Sequence, residues 1–259
     1  MLGQRILSAL ILLPIALAAV WYGSWGFACL VGLAGVLAAW EWTRLCFGQC
    51  GRGGWVLGGM AVLVALLASF ASALVLPVVF LAAFLAPLAQ QEEGRSPVWM
   101  VSGAFYIGLP VAALTWVRGL DQGHTTLWLL LVVWATDIFA YAAGRLIGGP
   151  KLMPRVSPKK TWAGLLGGVS AAALIGWLMA PETGLNASIL ALISAGLAVL
   201  AQGGDLLESW VKRHFGVKDS SGIIPGHGGV LDRLDGLLAV APVVAVFCMF
   251  YQGGLAEWR

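Results

Sequence analysis

Continuous apolar runs of roughly span length recur from one end of this 259-residue chain to the other. About 20 such residues, wound as an α-helix, match the hydrocarbon thickness of a bilayer. Inside lipid a backbone must satisfy its own polar groups, so a spanning segment is a helix or part of a closed barrel. Barrel strands alternate apolar and polar residues; these runs do not, which selects helices. Nine can be marked, at roughly 5–22, 24–43, 55–72, 73–91, 98–118, 126–146, 163–180, 186–204 and 237–252. Charged residues make up only 10% of the chain, where a soluble domain carries about a quarter. That excludes an ordinary soluble enzyme, a disordered tail and a secreted disulfide scaffold. The expectation is an all-α, polytopic integral membrane protein with about nine transmembrane helices.

Lys and Arg set the orientation, because cytoplasmic loops carry the excess of positive charge. With the N-terminus in the cytoplasm and loops counted alternately, only Arg118 and Arg259 of the 15 Lys and Arg residues fall outside. The two richest loops, 147–162 and 205–236, then face the cytosol. Trp21, Trp25, Trp40, Trp42, Trp55, Trp99 and Trp128 lie near predicted span ends, as an interfacial belt requires. The first run resembles a signal peptide, but further spans follow at once, so it reads as an uncleaved first helix. The third and fourth spans are separated only by Ala71-Ser72-Ala73, and Pro14, Pro77, Pro87 and Pro110 mark expected kinks. Cys29, Cys46, Cys50 and Cys248 have no bridge framework and read as small apolar residues. Functionally the chain divides into N-terminal transmembrane helices, 1–120, and a catalytic transmembrane region, 121–259.

Chemistry concentrates in the second of these. Five of the 12 acidic residues, Asp205, Glu208, Asp219, Asp232 and Asp235, fall between positions 205 and 235. Lys212, Arg213, His214, Lys218, His227 and Arg233 share the stretch, with the turn sequence Pro225-Gly226-His227-Gly228-Gly229. A helix continuing from the eighth span puts Asp205, Ser209 and Lys212 on one face, and Asp232 and Asp235 share another. Convergent carboxylates suit Mg²⁺, which takes one or two of them alongside substrate phosphates. Flanking cations would grip phosphate oxygens. The other basic loop carries Lys151, Lys159 and Lys160, which reads as an anionic-lipid contact or a phosphate clamp; it contains no GxxxxGK[ST].

Ionisable groups at membrane depth default to function. Asp137, spaced i, i+4, i+8 with Tyr141 and Arg145, is expected to face the protein interior, either in a structural pair or in the site. The pairs Gly144/Gly148 and Gly164/Gly168 suit close helix packing. Glu41, between Trp40 and Trp42, reads as an interfacial partner of Arg44 in preference to a catalytic group. His124 is assigned nothing.

From Ser209 to Asp235 these residues fit SxxKRxxxxKDxxxxxPxHGGxxDRxD at every fixed position. That pattern resembles the signature of the phosphatidate cytidylyltransferases, the CDP-diacylglycerol synthases. The likeness extends to Gly204-Asp205-Leu206, to Asp137, Tyr141 and Gly144, and to Ser157-Pro158-Lys159-Lys160-Thr161-Trp162-Ala163-Gly164. Ala163 departs from it, standing where family members usually carry Glu. The resemblance implies a multi-pass enzyme of the bacterial inner membrane that makes CDP-diacylglycerol and pyrophosphate from CTP and phosphatidate. It implies Mg²⁺ on Asp205 and Asp232, supported by Asp235 and Asp219, and a second, monovalent cation such as K⁺. Catalytic residues would be Asp205, Ser209, Lys212, Asp219, Asp232 and Asp235. Lys159, Lys160, Arg213, Lys218, His227, Gly228, Gly229 and Arg233 would bind the substrates. The expected partners are CTP, phosphatidate, the bilayer and a second copy in a homodimer, with no nucleic acid. A CTP-dependent lipid-alcohol kinase and a transporter are the rivals; the first would release CDP and the second no pyrophosphate.

Overall fold

The computed structural model describes residues 2–70, 72–92, 94–224, 226 and 228–258, with side chains from position 10 onward apart from Ser24. Among them are nine α-helices: α1 Leu2–Tyr22, α2 Ser24–Phe47, α3 Arg52–Ala68, α4 Val75–Ala89, α5 Val98–Leu120, α6 His124–Leu146, α7 Trp162–Thr183, α8 Ala187–His214 and α9 Leu231–Phe250. Six, α2 and α5 to α9, are long and apolar enough to cross a membrane. Of the other three, α3 and α4 are shorter, at 17 and 15 residues, and α1 runs 21 residues from Leu2 to Tyr22, so the expected set of about nine apolar helices is present. Pro14, Pro87 and Pro110 lie inside helices. Pro77 sits in the first turn of α4, where its missing N–H costs no hydrogen bond.

By its internal contacts the chain divides into two compact units. The first comprises Met1–Gly123 and Phe215–Leu234. Here α2, α3, α4 and α5 pack on one another. Tight contacts replace side chains with backbone: a Cβ on Gly35 would lie 2.7 Å from that of Ala61, and one on Gly53 would lie 2.7 Å from the Ala86 carbonyl. Trp42 ties α2 to α5 by donating its indole N–H to the Trp99 carbonyl at 2.7 Å. Phe215 then packs edge-on against Trp99, its ring centroid 4.9 Å away, and Arg95 lies over the Phe215 ring. These contacts anchor the start of the 215–234 segment in this unit.

The second unit comprises His124–His214 and Asp235–Arg259. Its α7 packs against both α6 and α8. A Cβ on Gly164 or Gly168 would come within 2.8 Å of the carbonyls of Ala140 and Thr136, so these glycines set the α6–α7 approach. Gly144 belongs to the same seam, facing Thr161 and Gly164. Gly148 does not: nothing lies within 4 Å of its Cβ position, and its φ of +69° makes it a turn residue. With Gly149 at φ +89° it swings the chain out of α6.

The chain then forms a two-stranded antiparallel hairpin, β1 Lys151–Met153 and β2 Ser157–Thr161. The connection over 147–162 thus contains a small sheet in an otherwise helical fold. Thr161 ends β2 and caps α7, its Oγ accepting the Gly164 N–H at 3.0 Å. The other polar loop also shrinks. Positions 205–214 continue α8 and 231–236 belong to α9, leaving 215–230 as connection.

Because the Gly168 position is backed by a carbonyl, Gly168→Leu has nowhere to relax. We expect it to cost about 1–3 kcal/mol, seen as a lower unfolding temperature in detergent micelles. An unchanged midpoint would mean that the α6–α7 seam yields.

Candidate active site

In the second unit, acidic residues gather where α8 and α9 meet. A Cβ on Gly204 would lie 2.7 Å from the Asp235 carbonyl, and Gly236 faces Ala201. The glycine beside each aspartate therefore lets the helices close, which brings Asp205 and Asp235 together. Asp205, Glu208 and Asp137 all act on Asp235 by like-charge repulsion, while Asp235 Oδ1 accepts the Gly236 N–H at 2.7 Å. Two lysines offset this charge. Lys160, delivered by the last turn-free residues before α7, stands 2.7 Å from Asp205 Oδ2 and 3.4 Å from the Gln202 carbonyl. Lys212 Nζ lies 3.2 Å from Glu208 Oε1, one helical turn away. Ser209 Oγ donates to Asp205 at 3.3 Å, so the face foreseen for Asp205 and Ser209 exists.

Lys212 is buried beside Glu208, which is itself 1% exposed, and the two form an ion pair one turn apart. One expectation changes here. Asp137 is exposed and does not point into the protein interior, although it stands within the electrostatic reach of Asp235.

In the first unit the signature loop wraps around two other carboxylates. Asp232, in the first turn of α9, accepts the N–H of Ser220 at 2.9 Å, the Ser220 hydroxyl at 2.8 Å and the Gly229 N–H at 2.8 Å, all on Oδ2. Glu41 from α2 is wholly buried and accepts the Ser220 and Ser221 hydroxyls at 3.1 and 2.5 Å. It also accepts the N–H groups of Val230 and Leu231 at 2.8 and 2.7 Å. Arg44 is not its partner: that guanidinium lies 4.5 Å over the Trp40 ring. Gly229 is buried, and a Cβ there would overlap both Ser220 Oγ and Glu41 Oε1. Gly228 has φ +85° and pairs with Ile224 in an isolated bridge. Lys159, Arg213, Lys218, Asp219 and Arg233 are exposed. His227 lies outside the described residues.

Sequence reasoning passed over Glu41, Ser220 and Ser221. The signal was available in Glu41 itself, a charged residue within an apolar helix, which defaults to function by the same rule applied to Asp137.

Among the described residues no three His, Cys, Asp or Glu side chains are disposed to hold a metal ion by themselves. Burial raises the Cys50 thiol above its ordinary value, with Arg44 pulling the other way, so Cys50 stays protonated at neutral pH and is a poor ligand. The chemistry around Asp235 does fit a hard divalent ion. The donors of Asp205 and Asp235 are carboxylate oxygens, and Mg²⁺ needs only one or two carboxylates, leaving other positions to water and phosphate.

Comparison with known proteins gives one consistent result. The family model described as "Cytidylyltransferase family" matches residues 3–251. A protein of Brucella abortus named phosphatidate cytidylyltransferase is 40% identical over 260 residues, covering 95% of this chain and 93% of its own. One of the same name from Pseudomonas aeruginosa is 39% identical over 269 residues, covering 95% of this chain and 96% of its own. A third, from Staphylococcus haemolyticus, is 45% identical over 128 residues, about half of each chain.

Removing the cation from a buried ion pair costs about 3–5 kcal/mol, because the remaining charge stays desolvated. Lys212→Met is expected to fall in this range, read as a lowered unfolding midpoint at neutral pH. Adding Glu208→Gln should recover part of the loss; a double variant no better than Lys212→Met would show that the pair carries no coupling.

Proposed function

Since the chain belongs to the cytidylyltransferase family, we propose that it transfers the cytidylyl group of CTP to phosphatidate, giving CDP-diacylglycerol and pyrophosphate for phospholipid synthesis. The support is a likeness to proteins named for that reaction that runs nearly end to end, together with the Ser209–Asp235 signature in this chain. The bacterial relatives and the bias of positive charge favour the cytoplasmic membrane of a bacterium, with the N-terminus and the 215–230 connection on the cytosolic side.

The chemistry is a displacement at phosphorus. A phosphate oxygen of phosphatidate forms a bond to the α-phosphorus of CTP, and the bond from that phosphorus to the bridging oxygen breaks, releasing pyrophosphate. Phosphatidate is already anionic at neutral pH, so the protein need not generate a nucleophile. It must hold two anions in line and offset their charge. We assign Asp205 and Asp235 to hold Mg²⁺, with Asp232 and Asp219 kept in the set by the signature and a K⁺ ion as its companion. Bound there, Mg²⁺ supplies charge neutralisation on the nucleotide phosphates and the departing pyrophosphate. Lys160 is held by Asp205 and the Gln202 carbonyl, so its ammonium is fixed at the edge of the acidic cluster. The exposed Lys159, Arg213, Lys218 and Arg233 take phosphate oxygens, and Ser209 and the backbone of Gly228 and Gly229 add neutral donors.

Membranes carrying this chain should convert radiolabelled CTP and phosphatidate to a labelled liponucleotide in the presence of Mg²⁺. Chelation, Asp205→Asn and Asp235→Asn should each lower the rate about 100-fold or more, the scale set by loss of a charge-stabilising group. CDP and a phosphorylated lipid alcohol, formed when alcohols are offered, would move the chain to the kinase reading. Full activity in Asp205→Asn would keep the reaction and overturn the choice of ligand.

A further inference from the structure

The first unit joins two segments far apart in sequence through one carboxylate. Glu41, fully buried in α2, reaches residues 179 to 190 positions further on. A charged carboxylate in such surroundings is costly unless donors converge on it. Here four do: two serine hydroxyls and the two amides that open α9. Those amides form the N-terminus of a helix, where the peptide dipoles favour a negative group. Glu41 therefore caps α9 from another helix and pins the turn that precedes it.

Ser220 carries the effect onward. Its hydroxyl lies 3.1 Å from Glu41 Oε2 and 2.8 Å from Asp232 Oδ2. A hydroxyl has one proton and can donate it to one acceptor at a time. The two carboxylates thus compete for the same proton, and the position of Ser220 is set by both. The Ser220 amide and the Gly229 amide hold the same oxygen of Asp232, and the absence of a side chain at Gly229 is what allows Glu41, Ser220 and the loop to close on one another.

We propose that Glu41 is a positioning residue of the reaction: through Ser220 and the amides of Val230 and Leu231 it fixes the signature loop and thereby the orientation of Asp232. The inference rests on the cytidylyl-transfer reading for its kinetic consequence. Its structural half stands apart from that reading.

The test uses the full chain in detergent–lipid micelles. Glu41→Gln keeps the shape and replaces one acceptor oxygen with an amide; Ser220→Ala removes the bridge and leaves the Val230 and Leu231 contacts. Each should lower kcat about 10- to 100-fold, the range for residues that orient a ligand-bearing group. KM for phosphatidate should change less than about twofold, since uniform binding is untouched. The double variant should be no slower than the slower single one. Hydrogen exchange at Gly229, Val230 and Leu231 should quicken in Glu41→Gln while α6 and α7 stay protected. A wild-type kcat in Glu41→Gln, or independent multiplying losses in the double variant, would overturn the proposal. So would unchanged exchange in the loop, whether or not the wild type makes a liponucleotide. A wild type that makes none would sink the proposed reaction instead.

Discussion

Polar groups inside an apolar chain have no water to fall back on, and each must be met by another part of the protein. Most of this chain meets that requirement locally, by winding into helices. What remains are the side chains and helix ends that a helix cannot satisfy by itself, and these organise everything outside the regular structure. In the first unit one carboxylate from α2 gathers two hydroxyls and two helix-opening amides. In the second, four carboxylates share a region with two lysines that come from different elements, β2 and α8. The shape of the polar parts follows from which donors and acceptors can reach one another.

Glycine is the other half of this arrangement. Where two helices must approach closely enough for their flanking aspartates to sense one another, the residue at the contact has no side chain, as at Gly204 against the Asp235 carbonyl. Where a loop must fold onto a buried carboxylate, as at Gly229, the same holds. Gly148 serves differently, through a backbone angle that other residues rarely adopt. The spacing Gly144/Gly148 looks like a packing motif, yet only one of the two packs. Spacing identifies a shared helix face; it does not say whether the chain is still helical at the second position.

Much of the fold was legible because its driving force is written residue by residue. Apolar runs mark helices wherever they fall, and the extension of α8 to His214 follows from the face shared by Asp205 and Ser209. The hairpin at Lys151–Thr161 was not legible, since its strands are short and polar and carry no alternation. The role of Glu41 was hidden for another reason. Its neighbours in sequence, Trp40, Trp42 and Arg44, suggest a local pairing, whereas its donors lie in the other half of the chain. Asp137 erred in the opposite direction: membrane depth argues for burial, but a charged group can equally face an accessible surface beside other charges. The signature was readable as a pattern; which of its members are buried, such as Lys212, was not.

The span between Glu41 and its donors also sets an order of events during synthesis. A ribosome adds about 5–20 residues each second, so α2 leaves it on the order of ten seconds or more before Ser220 has been made. Throughout that interval the carboxylate sits in an apolar helix with none of its final donors in existence. The nascent chain must therefore keep Glu41 in reach of other polar groups or water until the second half arrives. Closure of the loop upon it can begin only once Ser220 and the residues after it have been made, and a chain cut before position 220 would carry a destabilising group that the longer chain does not.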